Sequence, residues 1–273
     1  LRVGLEKSRN LMTVRIAQNL GIGKVVNFSK NLGIYDNPEK LLSISLGSAE
    51  TTLMKLTTAY SSFVNGGKLV TPVIIDRIQD SEGKTIFSDE MIKCTNCEQI
   101  SFSGNSYPKT KDNYKRVFSP QTAYQMTSIL EGVVQRGTGK QLKDLNLNLA
   151  GKTGTTNENT DTWFIGFTSN LVVGVYVGED DPKPLGKFET GARTALPIFK
   201  EFVSEAIKKS EARPFKAAVG TIMMVVDSDT GQKAKFSSKN TIVEVYKEKN
   251  VVDGKVLYSN NNRLDTNNIL KFY

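Results

Sequence analysis

Apolar residues recur at three- and four-residue spacing through Leu5, Leu11, Val14, Ala17 and Leu20, and Gly21 follows. This pattern predicts one amphipathic helix over the first twenty residues, stopped by the glycine. A second helix is predicted around Lys24 to Asn31, ended by Gly33. Leu53, Leu56, Tyr60, Phe63 and Val64 define a third, closed by Gly66-Gly67. Thr71-Pro72-Val73-Ile74-Ile75 reads as the start of a strand, and Asp80-Ser81-Glu82-Gly83-Lys84 as a hairpin turn into a short return strand.

Residues 88–118 are polar and poor in aliphatics, which predicts a surface loop or insertion. Ser119-Pro120 supplies a cap and a first-turn proline for a helix carrying Ala123, Met126, Ile129, Leu130 and Val133, ended by Gly137 and Gly139. Three strands are expected next, Leu147 to Thr155, Thr162 to Thr168 and Leu171 to Val177, with Ser169-Asn170 joining the last two in a tight hairpin. Ala192, Ala195, Leu196, Phe199, Phe202, Val203 and Ala206 mark a closing helix, and Ala217 to Asp227 one more strand. Beyond it the chain is rich in Asn, Lys and Ser and alternates weakly. Helices followed by an antiparallel sheet and a closing helix make an α+β fold.

Composition narrows the chemistry. With 273 residues and 38% hydrophobic content the chain can bury a core. It contains no histidine, which removes Ser-His-Asp and Cys-His catalysis, His-ligated zinc and most haem schemes. Two cysteines cannot form a four-thiolate site. The net charge of +8 is spread along the chain, which suits anionic polymers in general without selecting one. No apolar run approaches the ~20 residues of a membrane helix. An enzyme built from this chain must work with Ser, Thr, Lys, Tyr or carboxylates, and no metal or cofactor is expected.

The sharpest motif is Lys152-Thr153-Gly154-Thr155-Thr156, in a strand expected to run antiparallel to Trp163–Phe167. A lysine inside an apolar strand is costly unless it faces a cleft, and a glycine there lets another backbone or a ligand approach. Thr153 and Thr155 share a face, so the edge could hold a carboxylate and extend a peptide by strand addition. The competing reading is an edge strand with a solvated lysine. A phosphate loop is excluded, because Asn146 stands where its first glycine is required. Ser8-Arg9-Asn10, taken alone, reads as a helix cap. Cys94 and Cys97 have C-x-x-C spacing, which fits first a local disulfide in an oxidising compartment, then free thiols, and last a zinc site lacking further ligands.

Serine β-lactamases and penicillin-binding proteins combine S-x-x-K with S-D-N and K-T-G, and need no histidine. This chain carries the third motif and an S-x-N variant of the second. Glu6-Lys7-Ser8-Arg9-Asn10 resembles the S-x-N segment of class A (bifunctional) penicillin-binding proteins. Leu46-Gly47-Ser48 with the helix through Tyr60, Gln135-Arg136-Gly137-Thr138-Gly139, Gly151 to Gly166, and Ala195 to Phe199 are similar to that family in the same order. The resemblance covers roughly residues 1–230. It implies the serine β-lactamase/DD-transpeptidase-like fold and the cross-linking of D-Ala-D-Ala stem peptides through a serine acyl-enzyme. It also implies β-lactam antibiotics as covalent inhibitors, no nucleic-acid partner, and a place on the periplasmic face of the bacterial inner membrane, held by an N-terminal anchor outside this chain.

By the same resemblance, Ser8 would relay a proton to the leaving nitrogen and Asn10 would bond the substrate amide. Lys152 would supply positive potential, and Thr153, Gly154, Thr155 and Thr156 would bind the substrate, with the Thr155 amide as half of an oxyanion hole. The family's S-x-x-K precedes its S-x-N. Here Ser81-Glu82-Gly83-Lys84 and Ser106-Tyr107-Pro108-Lys109 both follow it, in turn or loop sequence, and neither is accepted as the nucleophile. Residues 1–209 are therefore expected to be the C-terminal part of a transpeptidase domain, inactive alone, with 88–118 as an insertion. Residues 210–273 are expected to be a C-terminal strand and polar tail. A serine β-lactamase, a penicillin-sensing receptor domain and a non-catalytic wall-binding module stay open as alternatives.

Overall fold

The computed structural model describes residues 1–89, 92–95, 109–112, 114–208, 212–252 and 255–256. The predicted N-terminal helix is two helices, α1 (Arg2–Glu6) and α2 (Asn10–Leu20). Ser8 lies between them at φ 54°, a left-handed conformation that costs a non-glycine residue about 1–2 kcal/mol. The amides of Ser8 and Arg9 fold back onto the carbonyls of Leu5 and Gly4 and close the turn. The apolar spacing runs straight through this break, so periodicity could not reveal it. Leu5 packs into the core and Ala17 is buried, whereas Leu11 and Leu20 are exposed. Gly21 ends α2 at φ 86° and leads into α3 (Ile22–Asn31). Thr52 caps α4 (Leu53–Val64) by accepting the Lys55 amide.

The strand expected from Thr71 is absent. Pro72 has no amide to give a ladder, Ile74 is 91% exposed, and pairing begins only at Arg77. In chain order the strands are β1 (Lys68–Leu69), β2 (Arg77–Gln79), β3 (Thr85–Ser88), β4 (Ile92–Thr95), β5 (Lys109–Asp112) and β6 (Lys115–Arg116). β2 pairs antiparallel with β3 across the expected Asp80–Lys84 turn. The polar stretch 88–118 is not featureless: β4 pairs with β5 and β6 returns to β1. Cys97 and residues 106–108 lie outside the described residues.

Ser119 caps α5 (Pro120–Gln135), its hydroxyl accepting the Thr122 amide. The central sheet then follows as β7 (Ala150–Thr155), β8 (Asp161–Phe167) and β9 (Val172–Gly178), antiparallel in that order. Helix α6 (Ala195–Ala206) packs on one face, where Phe164, Leu196, Phe199 and Val203 form a core with Val134. On the other face, Leu130 and Val133 of α5 meet Ala150 and Phe167, flanked by Leu5, Tyr60 and Phe63. Covering both faces explains why β8 reads as a near-continuous apolar run rather than an alternating one.

The tail is also more structured than expected. β10 (Thr221–Asp227) pairs along its full length with β11 (Thr241–Lys247), and β12 (Val251–Val252) pairs with β13 (Lys255–Val256). The α+β expectation holds. Among the described residues, no helix is long and apolar enough to cross a membrane.

Candidate active site

Strand alternation puts Lys152 and Gly154 on the α5 face of β7, and Thr153 and Thr155 on the opposite face. The Lys152 ammonium donates to Ser8 Oγ at 2.8 Å and to the Thr153 carbonyl at 2.8 Å. Burial pushes the Lys152 amine down to about 8, since a low-dielectric setting penalises the charged form. The lysine is therefore not a solvated edge residue. Nor is Ser8 a helix cap: the N-cap of α2 is Arg9, which makes no side-chain cap bond. The left-handed turn instead presents the Ser8 hydroxyl to Lys152. Asn10 stands exposed at the first residue of α2, two positions along.

Thr153 Oγ1 lies 2.8 Å from Thr138 Oγ1. Thr138 follows α5 in the glycine-rich turn and had no assigned role in the sequence; a hydroxyl flanked by Gly137 and Gly139 was the available signal. Thr155 is exposed and its hydroxyl accepts the Gly191 amide at 3.1 Å, which leaves its proton free to donate to an anion. Gly154 pairs with Trp163 across the ladder. Thr156 lies one residue past the end of β7. Its hydroxyl accepts the Asp161 amide at 2.8 Å and sits 2.8 Å from Thr160 Oγ1, so it closes the β7–β8 turn.

Ser8 and Lys152 thus meet from segments far apart in sequence, with the Thr153 and Thr155 hydroxyls on the opposite face of the same strand. The arrangement offers a half-buried cation, a serine hydroxyl bonded to it, and two threonine hydroxyls on a strand whose outer edge pairs with no other strand among the described residues. It can bind a carboxylate and deliver a proton. Ser81–Lys84 lies far from such a role, in the exposed hairpin turn where Asp80 Oδ1 accepts the Glu82 and Lys84 amides. Among the described residues, no group of His, Cys, Asp and Glu is placed to hold a metal ion.

Residues 1–204 match the family model described as the penicillin binding protein transpeptidase domain. Penicillin-binding protein 1A of Rickettsia bellii is 41% identical over 271 residues, which cover 96% of this chain and 34% of the relative. Among solved structures, penicillin-binding protein 1A from Haemophilus influenzae superposes with a TM-score of 0.78 at 29% identity, covering 95% of this chain and 40% of that one. The PonA1 protein from Mycobacterium tuberculosis in complex with penicillin V gives a TM-score of 0.61 at 20% identity, over 79% of this chain and 58% of that one. At that identity the likeness speaks for the fold alone. The chain spans about a third of the length of the curated relatives it matches.

Proposed function

We propose, for a chain that belongs to the penicillin-binding protein transpeptidase family, that the Ser8–Asn10 turn and strand β7 form two walls of a peptidoglycan DD-transpeptidase site. The observation that carries this is the bond from Lys152 to Ser8, which joins the S-x-N and lysine–threonine–glycine segments in one place. Relatives named penicillin-binding protein 1A support this reading over a β-lactamase, a receptor domain or a passive wall-binding module. The nucleophilic serine comes from a segment preceding residue 1, in a protein that also carries a glycosyltransferase domain and a membrane anchor. The site then works on the periplasmic face, where stem peptides are found.

The geometry supports the following roles. A stem peptide ending in D-Ala-D-Ala lies along the free edge of β7, its terminal carboxylate held by the Thr155 and Thr153 hydroxyls and by the positive potential of Lys152. The serine, passing its proton to the lysine of its own S-x-x-K segment, attacks the penultimate carbonyl, and the Thr155 amide supports the oxyanion, a donor worth ~3–4 kcal/mol in the barrier. Because Ser8 Oγ accepts from Lys152, its own proton points away, toward the leaving nitrogen. Ser8 gives that proton up as the C–N bond breaks and is reprotonated by Lys152, whose lowered affinity suits it to release one. Asn10 bonds the amide of the substrate. An amine from a second stem peptide then attacks the acyl-enzyme, forming the cross-link, and a β-lactam enters the same path by presenting a carboxylate in the same place.

Fluorescent penicillin labelling of the full-length protein tests the reading. Stoichiometric labelling that is lost on pre-incubation with unlabelled penicillin is expected. A folded, full-length protein that takes no label overturns it.

A further inference from the structure

Two residues before Ser8, the Glu6 carboxylate is buried, with 3% of the residue exposed. A charge in that position needs partners, and it has a fork. Arg136 Nη2 reaches Glu6 Oε1 at 2.6 Å and Arg136 Nε reaches Oε2 at 3.3 Å, while Arg2 Nη1 stands 3.6 Å from Oε1. The opposing helix is cleared for it. A Cβ on Gly132 would overlap Glu6 Oε1, and one on Gly137 would overlap the Glu6 carbonyl oxygen. Gly132 sits inside α5, where a glycine weakens a helix relative to alanine, so the space it leaves is bought at a cost in helix stability.

Glu6 is also tied by its backbone. Its carbonyl accepts the Thr138 amide at 3.2 Å, and Thr138 Oγ1 meets Thr153 Oγ1 at 2.8 Å. The neighbouring Lys7 ammonium donates to the Arg136 carbonyl at 2.8 Å. The chain leaving Glu6 forward reaches Ser8 and Lys152; the contact leaving it sideways reaches Thr138 and Thr153. Lys152 and Thr153 are consecutive residues of β7. One residue therefore stands behind both partners of the lysine–threonine pair, through its backbone toward Thr138 and through the chain it anchors toward Ser8.

We propose that Glu6, clamped by Arg136, is a positioning residue that sets the Ser8 hydroxyl against Lys152 and Thr138 against Thr153. The inference rests on the transpeptidase reading above. The exposed Ser8 turn is short and left-handed, and its register relative to β7 is held from its α1 end. Loosening the clamp lets Ser8 drift from the ammonium, which slows the chemical step rather than the first encounter with substrate.

The test uses the full-length protein and a fluorescent penicillin, resolving acylation into the dissociation constant of the first complex, the rate constant of acylation and the labelled fraction. Unmutated protein is compared with Glu6→Gln, Arg136→Gln and the double variant. Each single change is expected to slow the acylation rate constant about tenfold, with the dissociation constant changed less than about twofold, and the double variant no slower than either single. Partial unfolding alone would lower the labelled fraction and spare the rate constant. Single variants acylated at the unmutated rate overturn the proposal, as do losses that multiply in the double variant. Should a single variant fail to fold, the double variant decides, because it leaves no unpaired charge between positions 6 and 136. An unmutated protein that takes no label defeats the transpeptidase reading itself, whereas equal rates on a labelled protein defeat only the clamp.

Discussion

Lys152 Nζ and Ser8 Oγ lie 2.8 Å apart although 144 positions separate them in the chain. The contact joins a strand lysine, too buried to be a solvated edge residue, to a serine whose backbone adopts a left-handed turn. Neither conformation is favourable in isolation. The lysine gives up solvation and the serine accepts backbone strain, and such outliers gather where a site is pre-organised.

Removing the ammonium should therefore separate rate from stability. Lys152→Ala in the full-length protein is expected to lose ~2–4 kcal/mol of transition-state stabilisation, a ~30- to 1,000-fold slower acylation. Because the folded-state value of about 8 lies below the ordinary 10.5, this lysine's contribution to stability is complete above about pH 10.5 and lost as pH falls through 8. At neutral pH the charge is a burden, and Lys152→Ala should melt no lower than the unmutated protein. The acylation rate should decline on the alkaline side with an apparent pKa near 8, and Lys152→Arg, slower overall, should lack that limb. Acylation and melting curves collected from pH 6 to 10 check all three.

Glu131, on the same helix as the Glu6 clearance, carries the opposite signature. Burial pushes its carboxyl up to about 6 from the ordinary 4.5, against the pull of Arg2 and Arg136. Its contribution to stability is complete below about pH 4.5 and is lost as pH rises through 6. Glu131→Gln should stabilise the protein at pH 7.5 by about 1–2 kcal/mol and change little at pH 4. Melting temperature against pH for the two proteins decides it: a constant offset across the range would contradict the assignment.

The pairing of Glu244 with Arg2 makes β11 part of the same construction. Arg2 Nε donates to Glu244 Oε2 at 2.6 Å, and its Nη1 and Nη2 reach the carbonyl and hydroxyl of Ser128. Arg2 is 6% exposed, so Glu244→Ala leaves a buried guanidinium short of a partner. That should cost about 3 kcal/mol or more in denaturant unfolding, whereas Arg2→Met combined with Glu244→Leu should recover most of the loss. A single variant as stable as the unmutated protein would show the pair to be incidental.

Elements with strong local punctuation were legible in the chain itself. Ser119-Pro120 announces α5, Gly66-Gly67 ends α4, and Ser169-Asn170 folds β8 onto β9, because caps, breakers and tight turns act on neighbours a few residues away. The lysine–threonine–glycine strand was legible for a related reason: a charge and a glycine follow directly on the buried Leu149 and Ala150. Ile242, Val243, Val245 and Tyr246 carried a strand signal too, diluted by the polar residues around them.

What only the tertiary structure decided was how distant segments meet. Periodicity passes unbroken through Ser8, so the left-handed turn appears only once α1 is pinned by Arg136 and α2 departs separately. Thr71–Ile75 has the composition of a strand and finds no ladder, since a strand exists only where another accepts its hydrogen bonds. Thr156 belongs to the motif by position and to the β7–β8 turn by geometry. Glu6 with Arg136, Arg2 with Glu244 and Thr138 with Thr153 join positions 130, 242 and 15 residues apart. Composition specifies that charges and hydroxyls are available; burial, which removes the water that would otherwise satisfy them, selects which ones must pair.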